Sequence, residues 1–299
     1  MELLVSSFLS LQSDIGINYL EAFPKVQHGA AKAAPTILLL HGFPTSSSQF
    51  SRLIPLLTDQ GYHVLAPDLP GFGFTSVSPN YTYTFANLAA TISSFLAAKN
   101  ISEVAATYIF DYGAPVAFRL FTKHNLKTKA IISQNGNAYD QGLGAFWDPI
   151  RTFWTNNSAS IREELRPALL TYDPTKWQYT NGESPDRVDK INAAATYERD
   201  YNLLLRPGNQ DIQLDLFYDY RTNVELYPEW QAWLSRQKLP LLAIWGKNDE
   251  IFVSPGAEAF KQDLPDAVVK FVDGGHFSSI TWAEEIAAEI VKFLKDAEV

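Results

Sequence analysis

Short, continuously apolar runs recur along the chain, separated by longer stretches in which apolar positions repeat with helical spacing. A continuous apolar run is typical of a strand that is covered on both faces. Strands alternating with helices predict a mostly parallel sheet with helices on both sides. The predicted strands span residues 36–40, 61–68, 104–110, 129–134, 239–245 and 268–272. The predicted helices span residues 49–60, 83–99 and 282–295, and a further helix begins at 116–121.

The N-terminal segments 7–12 and 15–22 alternate loosely between apolar and polar positions on either side of Ser13 and Asp14. This pattern predicts two antiparallel strands that form a hairpin at one edge of the sheet. Residues 24–35 are rich in Ala, Lys and Gly and predict a surface loop.

The pattern changes between residues 135 and 238, where strand-like runs disappear and tryptophans lie among helical stretches such as 160–171 and 213–221. Such an excursion predicts a helical cap over the active face, and an aromatic lid would form an apolar pocket that excludes water. We therefore predict an α/β fold in three segments: a first core part at 1–134, the cap at 135–238 and a second core part at 239–299.

The amino-acid composition indicates a globular protein and disfavours several classes of function. With 299 residues, 46% of them hydrophobic and 19% charged, the chain has the composition of a well-packed globular protein. The net charge of −9 disfavours a nucleic-acid partner, since phosphate binding needs clustered Lys and Arg. The absence of cysteine excludes disulfides and a cysteine nucleophile.

Residues 1–4 lack the basic region of a secretory signal and no run is long enough for a membrane span, so a cytoplasmic location is expected.

Metal and cofactor sites have little support in the sequence. No two histidines stand at ligand spacing, and the acidic residues do not cluster as they do in calcium loops. Gly71 and Gly73 indicate turns rather than a phosphate loop, because no Gly-Lys-Ser/Thr follows them. We expect neither a metal nor an organic cofactor.

Four candidate site residues each follow a predicted strand. They are His41 in a His-Gly-Phe-Pro loop, Asp111 in a strand-to-helix turn, Asp249 in an Asn-Asp turn, and His276 after two glycines. Ligands of open parallel sheets bind beyond the carboxyl ends of the strands, so these side chains are expected to meet. The four features, in this chain order, resemble the α/β-hydrolase superfamily over almost the whole chain.

An Asp at the nucleophile position and a Phe in the His-Gly-Phe-Pro loop resemble the epoxide hydrolase and haloalkane dehalogenase branch of that superfamily. A carboxylate attacks a saturated carbon by displacement, which leaves an alkyl ester on the protein. The resemblance implies Asp111 as nucleophile, His276 as the base that activates water, and Asp249 as the acid that orients His276. It also implies an oxyanion hole formed by the backbone N–H groups of Phe43 and Tyr112.

The two enzyme types in this branch differ in what stabilises the leaving group. Epoxide hydrolases use cap tyrosines, whereas haloalkane dehalogenases use N–H donors, commonly a Trp beside the nucleophile with an Asn or a second Trp. Tyr112 replaces that Trp and Phe43 stands where the Asn often lies, which favours an epoxide over a halide. The segment Tyr220-Arg221 resembles the one that carries a ring-opening tyrosine, so Tyr220 is the candidate acid.

The second tyrosine expected early in the cap has no clear counterpart, and Tyr139 is a loose substitute for it. We expect Tyr139, Trp154 and Phe277 to line the substrate pocket. Ile109 stands where a small residue usually permits close packing of strand and helix, and Phe110 replaces a common His. These departures place the protein in a divergent subgroup and leave its substrate open.

Several assignments have a structural alternative. Asp111 could cap the following helix, Asp249 could be a turn residue, and Tyr220 could be a packing residue with a satisfied hydroxyl. Capping alone does not account for the motifs that coincide with Asp111, including His276. His41 is expected to brace the oxyanion loop rather than take part in the chemistry.

Three functions remain open. The first is a cofactor-independent hydrolase of the epoxide hydrolase type, acting on a small or medium apolar organic substrate through an ester on Asp111. The second is a haloalkane or haloacid dehalogenase with the same nucleophile. The third is a non-catalytic or repurposed member that binds a small apolar ligand, although the intact Asp249 and His276 argue against it. A homodimer is left open as the assembly.

Overall fold

An eight-stranded sheet forms the centre of the computed structural model, which describes residues 5–11, 14–25 and 34–299. The strands are β1 (Val5–Ser10), β2 (Gly16–Ala22), β3 (Thr36–Leu40), β4 (His63–Pro67), β5 (Glu103–Phe110), β6 (Lys127–Gln134), β7 (Leu241–Gly246) and β8 (Val268–Val272). Their order across the sheet is β1-β2-β4-β3-β5-β6-β7-β8. Strand β2 runs antiparallel to β1 and β4, and all other pairs are parallel. The predicted parallel sheet and its N-terminal edge hairpin are confirmed.

Some predicted features fall outside this description. Residues 12–13 and 26–33, which include part of the predicted hairpin connection and most of the predicted surface loop, lie outside the described residues.

Thirteen α-helices accompany the sheet in the described part of the chain. They are α1 (Leu53–Thr58), α2 (Phe85–Ala98), α3 (Gly113–Lys123), α4 (Asp148–Thr155), α5 (Ala159–Leu169), α6 (Tyr172–Thr180), α7 (Pro185–Val188), α8 (Tyr197–Leu204), α9 (Asn209–Asp219), α10 (Arg221–Gln237), α11 (Pro255–Ala259), α12 (Ser278–Thr281) and α13 (Ala283–Asp296).

The two faces of the sheet carry separate hydrophobic clusters. Successive side chains of a strand point to opposite faces, and β3 shows the consequence. Leu38 and Leu40 pack in one cluster with α2, α3 and the helices between β6 and β7. Ile37 and Leu39 pack in the other cluster with α1 and α13. The predicted covering of the sheet by helices on both faces is therefore confirmed.

Several predicted boundaries differ from the structure by one or more residues, and a single residue explains the difference in two cases. The helix predicted at 49–60 is a 3₁₀ turn, Ser47–Ser51, followed by α1. The physical reason is Pro55, which has no N–H to donate to the carbonyl four residues earlier. The strand predicted at 61–68 starts later, because Gly61 adopts φ +96° and closes the turn after α1.

The chain between β6 and β7 consists of helices joined by turns and loops, in line with the predicted helical insert, whose bounds at 135–238 stay a prediction. It contains α4 to α10 and three short 3₁₀ turns. Most of its tryptophan surface is internal packing: Trp147 and Trp230 are fully buried, and the partly buried Trp154, Trp177 and Trp233 pack against the same cluster. Across residues 5–11, 14–25 and 34–299, no helix combines the length and apolarity needed to cross a bilayer.

The turn between β5 and α3 carries Asp111 in a left-handed conformation, with φ +46°. Tight neighbours surround this turn. A β-carbon on Gly113 would overlap the Leu40 carbonyl oxygen, so only glycine allows α3 to approach β3 this closely. A β-carbon on Gly136 would lie 2.7 Å from the Ile109 carbonyl oxygen. The same β-carbon would lie 3.1 Å from Ile109 Cγ1, so the glycine after β6 leaves room for the Ile109 backbone and side chain.

We expect Gly113→Ala to lower the free energy of unfolding by about 1–3 kcal/mol, because the new methyl group meets backbone that cannot rotate away. Denaturant unfolding followed by circular dichroism measures the change. Ser94→Ala, on the exposed side of α2, serves as the control and should stay within about 0.5 kcal/mol of the parent protein. Equal midpoints for Gly113→Ala and the control would show that the α3 contact is loose.

Candidate active site

The Asp111 carboxylate lies buried at the carboxyl end of β5. Its Oδ1 accepts hydrogen bonds from two backbone N–H groups, that of Phe43 at 3.0 Å and that of Tyr112. These are the two donors expected for an oxyanion hole. One carboxylate oxygen is thus held by the backbone, and the other oxygen, Oδ2, is left to face the rest of the site.

His276 stands opposite that free oxygen. Its Nε2 lies 3.5 Å from Asp111 Oδ2, and its Nδ1 lies 2.8 Å from Asp249 Oδ2. The Asp249 carboxylate only accepts, so Nδ1 carries a proton and donates it. The structure brings together the three side chains that the motifs predicted, in the arrangement of a nucleophile, a base and an orienting acid.

Asp249 is held by two further donors. The Nδ2 of Asn135 donates to its Oδ2 at 2.6 Å, and the backbone N–H of Ile251 donates to its Oδ1 at 2.7 Å. Asn135 lies just past β6 at φ +50°, and its Oδ1 accepts from the Gly246 N–H at 3.0 Å. Sequence reasoning missed Asn135. Its signal is a polar residue at the carboxyl end of a buried strand, which is where ligands of such sheets gather.

Opposing effects set the pKa of His276. Burial lowers it, but the carboxylates of Asp249 and Asp111 raise it more, and the pKa is about 9. At neutral pH the ring is therefore an imidazolium next to two carboxylates. Because the folded pKa exceeds the ordinary 6.5, this group contributes stability that is fully present below pH 6.5 and is lost as the pH rises through about 9.

His41 makes hydrogen bonds that hold the loop containing Phe43, as expected from the sequence. Its Nε2 accepts from the Leu69 N–H at 2.9 Å, so its Nδ1 carries the proton and donates to the Gly42 carbonyl at 2.9 Å. The following loop is packed tightly, since a β-carbon on Gly42 would overlap the Asp111 side chain. His41 thereby fixes the loop that presents the Phe43 N–H to the carboxylate.

Tyr220 lies between α9 and α10 and is fully buried. Its ring centroid is 4.4 Å from that of Trp147, 6.2 Å from that of Trp154 and 5.9 Å from that of Tyr112. Its hydroxyl lies 3.3 Å from the hydroxyl of Tyr227. Burial, Tyr227 and the Asp111 charge all raise the pKa of Tyr220, so its proton stays in place at neutral pH.

Tyr227 was missed in the sequence. It follows Tyr220 by seven residues, a spacing that returns to the same face of a helix after two turns. That spacing is the signal that could have found it.

The three predicted pocket residues lie in different surroundings. Trp154 stacks on Tyr220, and its indole N–H donates to the Phe217 carbonyl at 2.8 Å. Phe277 packs beside His276, with ring centroids 5.2 Å apart, but belongs to the cluster on the α1 and α13 face. Tyr139 is not brought to the catalytic group, because its hydroxyl donates to Asp263 at 2.9 Å.

No metal-binding group accompanies these residues. Within the described ranges, no three His, Asp or Glu side chains are grouped as ligands of a metal ion would be.

Comparison with known proteins identifies the family and the fold. The family model described as alpha/beta hydrolase fold matches residues 35–281. An uncharacterized hydrolase of Saccharomyces cerevisiae is 42% identical over 99% of this chain and 100% of its own length. A haloalkane dehalogenase of Psychrobacter cryohalolentis is 24% identical over 96% of this chain and 90% of its own. A laboratory-evolved potato epoxide hydrolase has a TM-score of 0.72 at 20% identity, covering 98% of this chain and 99% of that one, a likeness of fold alone.

We expect Asp111→Asn to lower the pKa of His276 below about 9, since the substitution removes one of the two carboxylates that raise it. Asp249→Asn should lower it further, because Asp249 has the larger effect. Titration of the imidazole signals by NMR measures both. Asp266→Asn, an equal loss of charge at an exposed position just before β8, should leave the pKa unchanged. An unchanged pKa in Asp111→Asn would show that Asp111 and His276 do not interact.

Proposed function

Because the chain belongs to the α/β-hydrolase family and is a hydrolase of that type, we propose that it opens small apolar epoxides through an ester on Asp111. The observation that carries the proposal is that the two oxygens of the Asp111 carboxylate have different surroundings. Oδ1 is held by the N–H groups of Phe43 and Tyr112, while Oδ2 lies 3.5 Å from His276 and is free to attack.

In the first half of the reaction, Asp111 Oδ2 forms a bond to an epoxide carbon and the carbon–oxygen bond of the ring breaks. The ring oxygen takes the hydroxyl proton of Tyr220, which gives a hydroxyalkyl ester and a tyrosinate. The ester is neutral, so Asp111 no longer raises the pKa of His276. The proton that His276 then releases returns to the Tyr220 tyrosinate, which leaves neutral His276 and protonated Tyr220 before the second half.

In the second half, neutral His276 takes a proton from water and the hydroxide attacks the ester carbonyl carbon. The negative charge develops on Oδ1, which already lies between the two N–H donors. Collapse breaks the bond between the carbonyl carbon and the alkyl oxygen, and His276 gives its proton to the departing diol. The Asp111 carboxyl group formed by this collapse gives its proton to His276, which restores the carboxylate and the imidazolium.

A chain of hydrogen bonds supports Tyr220 as the acid. The amide of Asn137 has a fixed orientation, because its Nδ2 donates to the Tyr139 carbonyl at 2.7 Å and its Oδ1 accepts from the Tyr139 N–H at 3.3 Å. The same Nδ2 donates to the Tyr227 hydroxyl oxygen at 3.2 Å. Tyr227 can then donate its own proton to Tyr220, which leaves the Tyr220 proton available for a substrate oxygen.

The indole groups near Tyr220 favour an epoxide over a haloalkane. A halide leaving group needs free N–H donors. The N–H of Trp147 donates to the Ile251 carbonyl at 2.7 Å, and the N–H of Trp154 donates to the Phe217 carbonyl. Because both indole N–H groups already donate to backbone carbonyls, neither is free to bind a halide.

A single turnover in ¹⁸O-labelled water, with enzyme in excess over an aliphatic epoxide, should place the label in Asp111 rather than in the diol. The reason is that water attacks the carbonyl carbon of the ester. Mass spectrometry of the peptide that contains Asp111 measures the label. Asp111→Asn should lower the rate of epoxide opening by about 10⁴-fold or more.

Label that enters the diol directly in the first turnover would exclude the ester. Halide release from a matched haloalkane, with no opening of the epoxide, would instead assign the dehalogenase function.

Tyr220→Phe should slow formation of the ester by about 10²–10⁴-fold, since the leaving oxygen loses its proton donor. Tyr227→Phe should slow it less, because Tyr227 only supports the hydroxyl of Tyr220. Rapid-quench detection of the ester measures both rates. Tyr139→Phe is the matched control and should leave the rate unchanged, because the Tyr139 hydroxyl is bound to Asp263. A larger loss in Tyr227→Phe than in Tyr220→Phe would make Tyr227 the acid.

A further inference from the structure

Glu183 lies in the cap segment between α6 and α7, and its carboxylate contacts the core segment that carries His276. Its Oε1 accepts from the Gly275 N–H at 2.9 Å, from the Thr281 hydroxyl at 2.8 Å and from the Ser278 hydroxyl at 3.4 Å. Its Oε2 accepts from the indole N–H of Trp282 at 3.1 Å. All four donors belong to the eight residues from 275 to 282.

The backbone before His276 needs external support. Gly274 and Gly275 precede it, and two consecutive glycines allow far more backbone conformations than other residues do. Glu183 binds the N–H of Gly275, in the peptide group that joins the two glycines immediately before His276. Hydrogen bonds to a charged carboxylate are stronger than neutral ones, so this contact restricts the glycine pair more than an amide acceptor would.

The same cap segment also contacts the segment of Asp249. The Nδ2 of Asn248 donates to the Gly182 carbonyl at 2.8 Å, and the Nδ2 of Asn181 donates to Glu250 at 3.1 Å. The fit is close, since a β-carbon on Gly275 would overlap the Asn181 carbonyl oxygen. Residues 181–183 thus contact both core segments that supply the hydrogen bond between His276 and Asp249.

We propose that Glu183 is a positioning residue for His276, through which the cap sets the direction of the imidazole. Glu183 contacts no reacting atom. Its effect is on the step in which His276 must align with water and the ester carbonyl, where a displacement of about 1 Å can cost about 10²-fold in rate. The kinetic part of this proposal rests on the proposed function, whereas the effect on the geometry of His276 does not.

The matched control is Glu285. It accepts a hydrogen bond from Arg187 of α7 at 2.8 Å, so it also joins the cap to the C-terminal part of the core. Half-exposed ion pairs of this kind contribute little to stability. The hydrogen bonds of Glu285 do not involve Gly275 or its neighbours before His276. Comparing Glu183→Ala with Glu285→Ala therefore separates positioning of the histidine from general attachment of the cap.

The experiment measures ester formation and ester hydrolysis separately by rapid quench in Glu183→Ala, Glu183→Gln and Glu285→Ala. We expect Glu183→Ala to slow hydrolysis by about 10–100-fold while ester formation stays within about 3-fold, so that the ester accumulates. Glu183→Gln keeps one acceptor oxygen and the side-chain volume, and should recover part of the rate. Glu285→Ala should behave like the parent protein. An equal loss in both half-reactions, or the same loss in Glu285→Ala, would overturn the proposal.

NMR of the His276 Nδ1 proton tests the geometry without a substrate. The signal should shift or broaden in Glu183→Ala and remain unchanged in Glu285→Ala. An unchanged signal in both would overturn the positioning role. If the parent protein forms no ester with any epoxide, the proposed function fails, and this measurement still decides the role of Glu183. If Glu183→Ala does not fold, Glu183→Gln provides the same comparison.

Discussion

A buried carboxylate beside a buried imidazolium is the interaction on which the rest of this site depends. Removing a charged group from water costs several kcal/mol unless partners replace the lost hydration. For Asp111 those partners are two backbone N–H groups and His276, and for His276 they are Asp111 and Asp249. The left-handed turn at Asp111 and the tight Gly42 loop serve this arrangement, because both bring backbone donors to the carboxylate.

The cap carries the proposed acid and is joined to the core by polar contacts on both sides of it. Asp219 accepts from the Phe85 N–H at 2.7 Å, at the start of α2. The buried Arg119 of α3 donates to Asn223 at 2.6 Å, and burial lowers the pKa of Arg119 to about 10, so it remains charged at neutral pH. Tyr220 lies between these two anchors. Cap and core therefore hold their parts of the site in one geometry.

The structure explains why unusual residues can stand directly before Asp111. Phe110 packs against the His276 ring, with centroids 4.6 Å apart, and helps to desolvate the imidazole. Ile109 is accommodated because Gly136 has no side chain. Neither reason is visible in the local sequence, since each depends on a residue from another strand end. The same is true of Asn135, whose support of Asp249 joins positions 114 residues apart.

The local pattern of apolar and polar residues alone determined the parallel strands, the helical insert and the strand ends at which Asp111, Asp249 and His276 lie. A strand that is buried on both faces is a continuous apolar run in the sequence, and the turn residues that follow show where it ends. The boundaries of helices and strands were predicted less accurately where a single proline or glycine decided them. The tertiary structure alone decided that Tyr139 turns to Asp263 and that Glu183 contacts the segment before His276. Those contacts join residues distant in the chain, and no spacing along a sequence encodes the direction in which a side chain points toward such a residue.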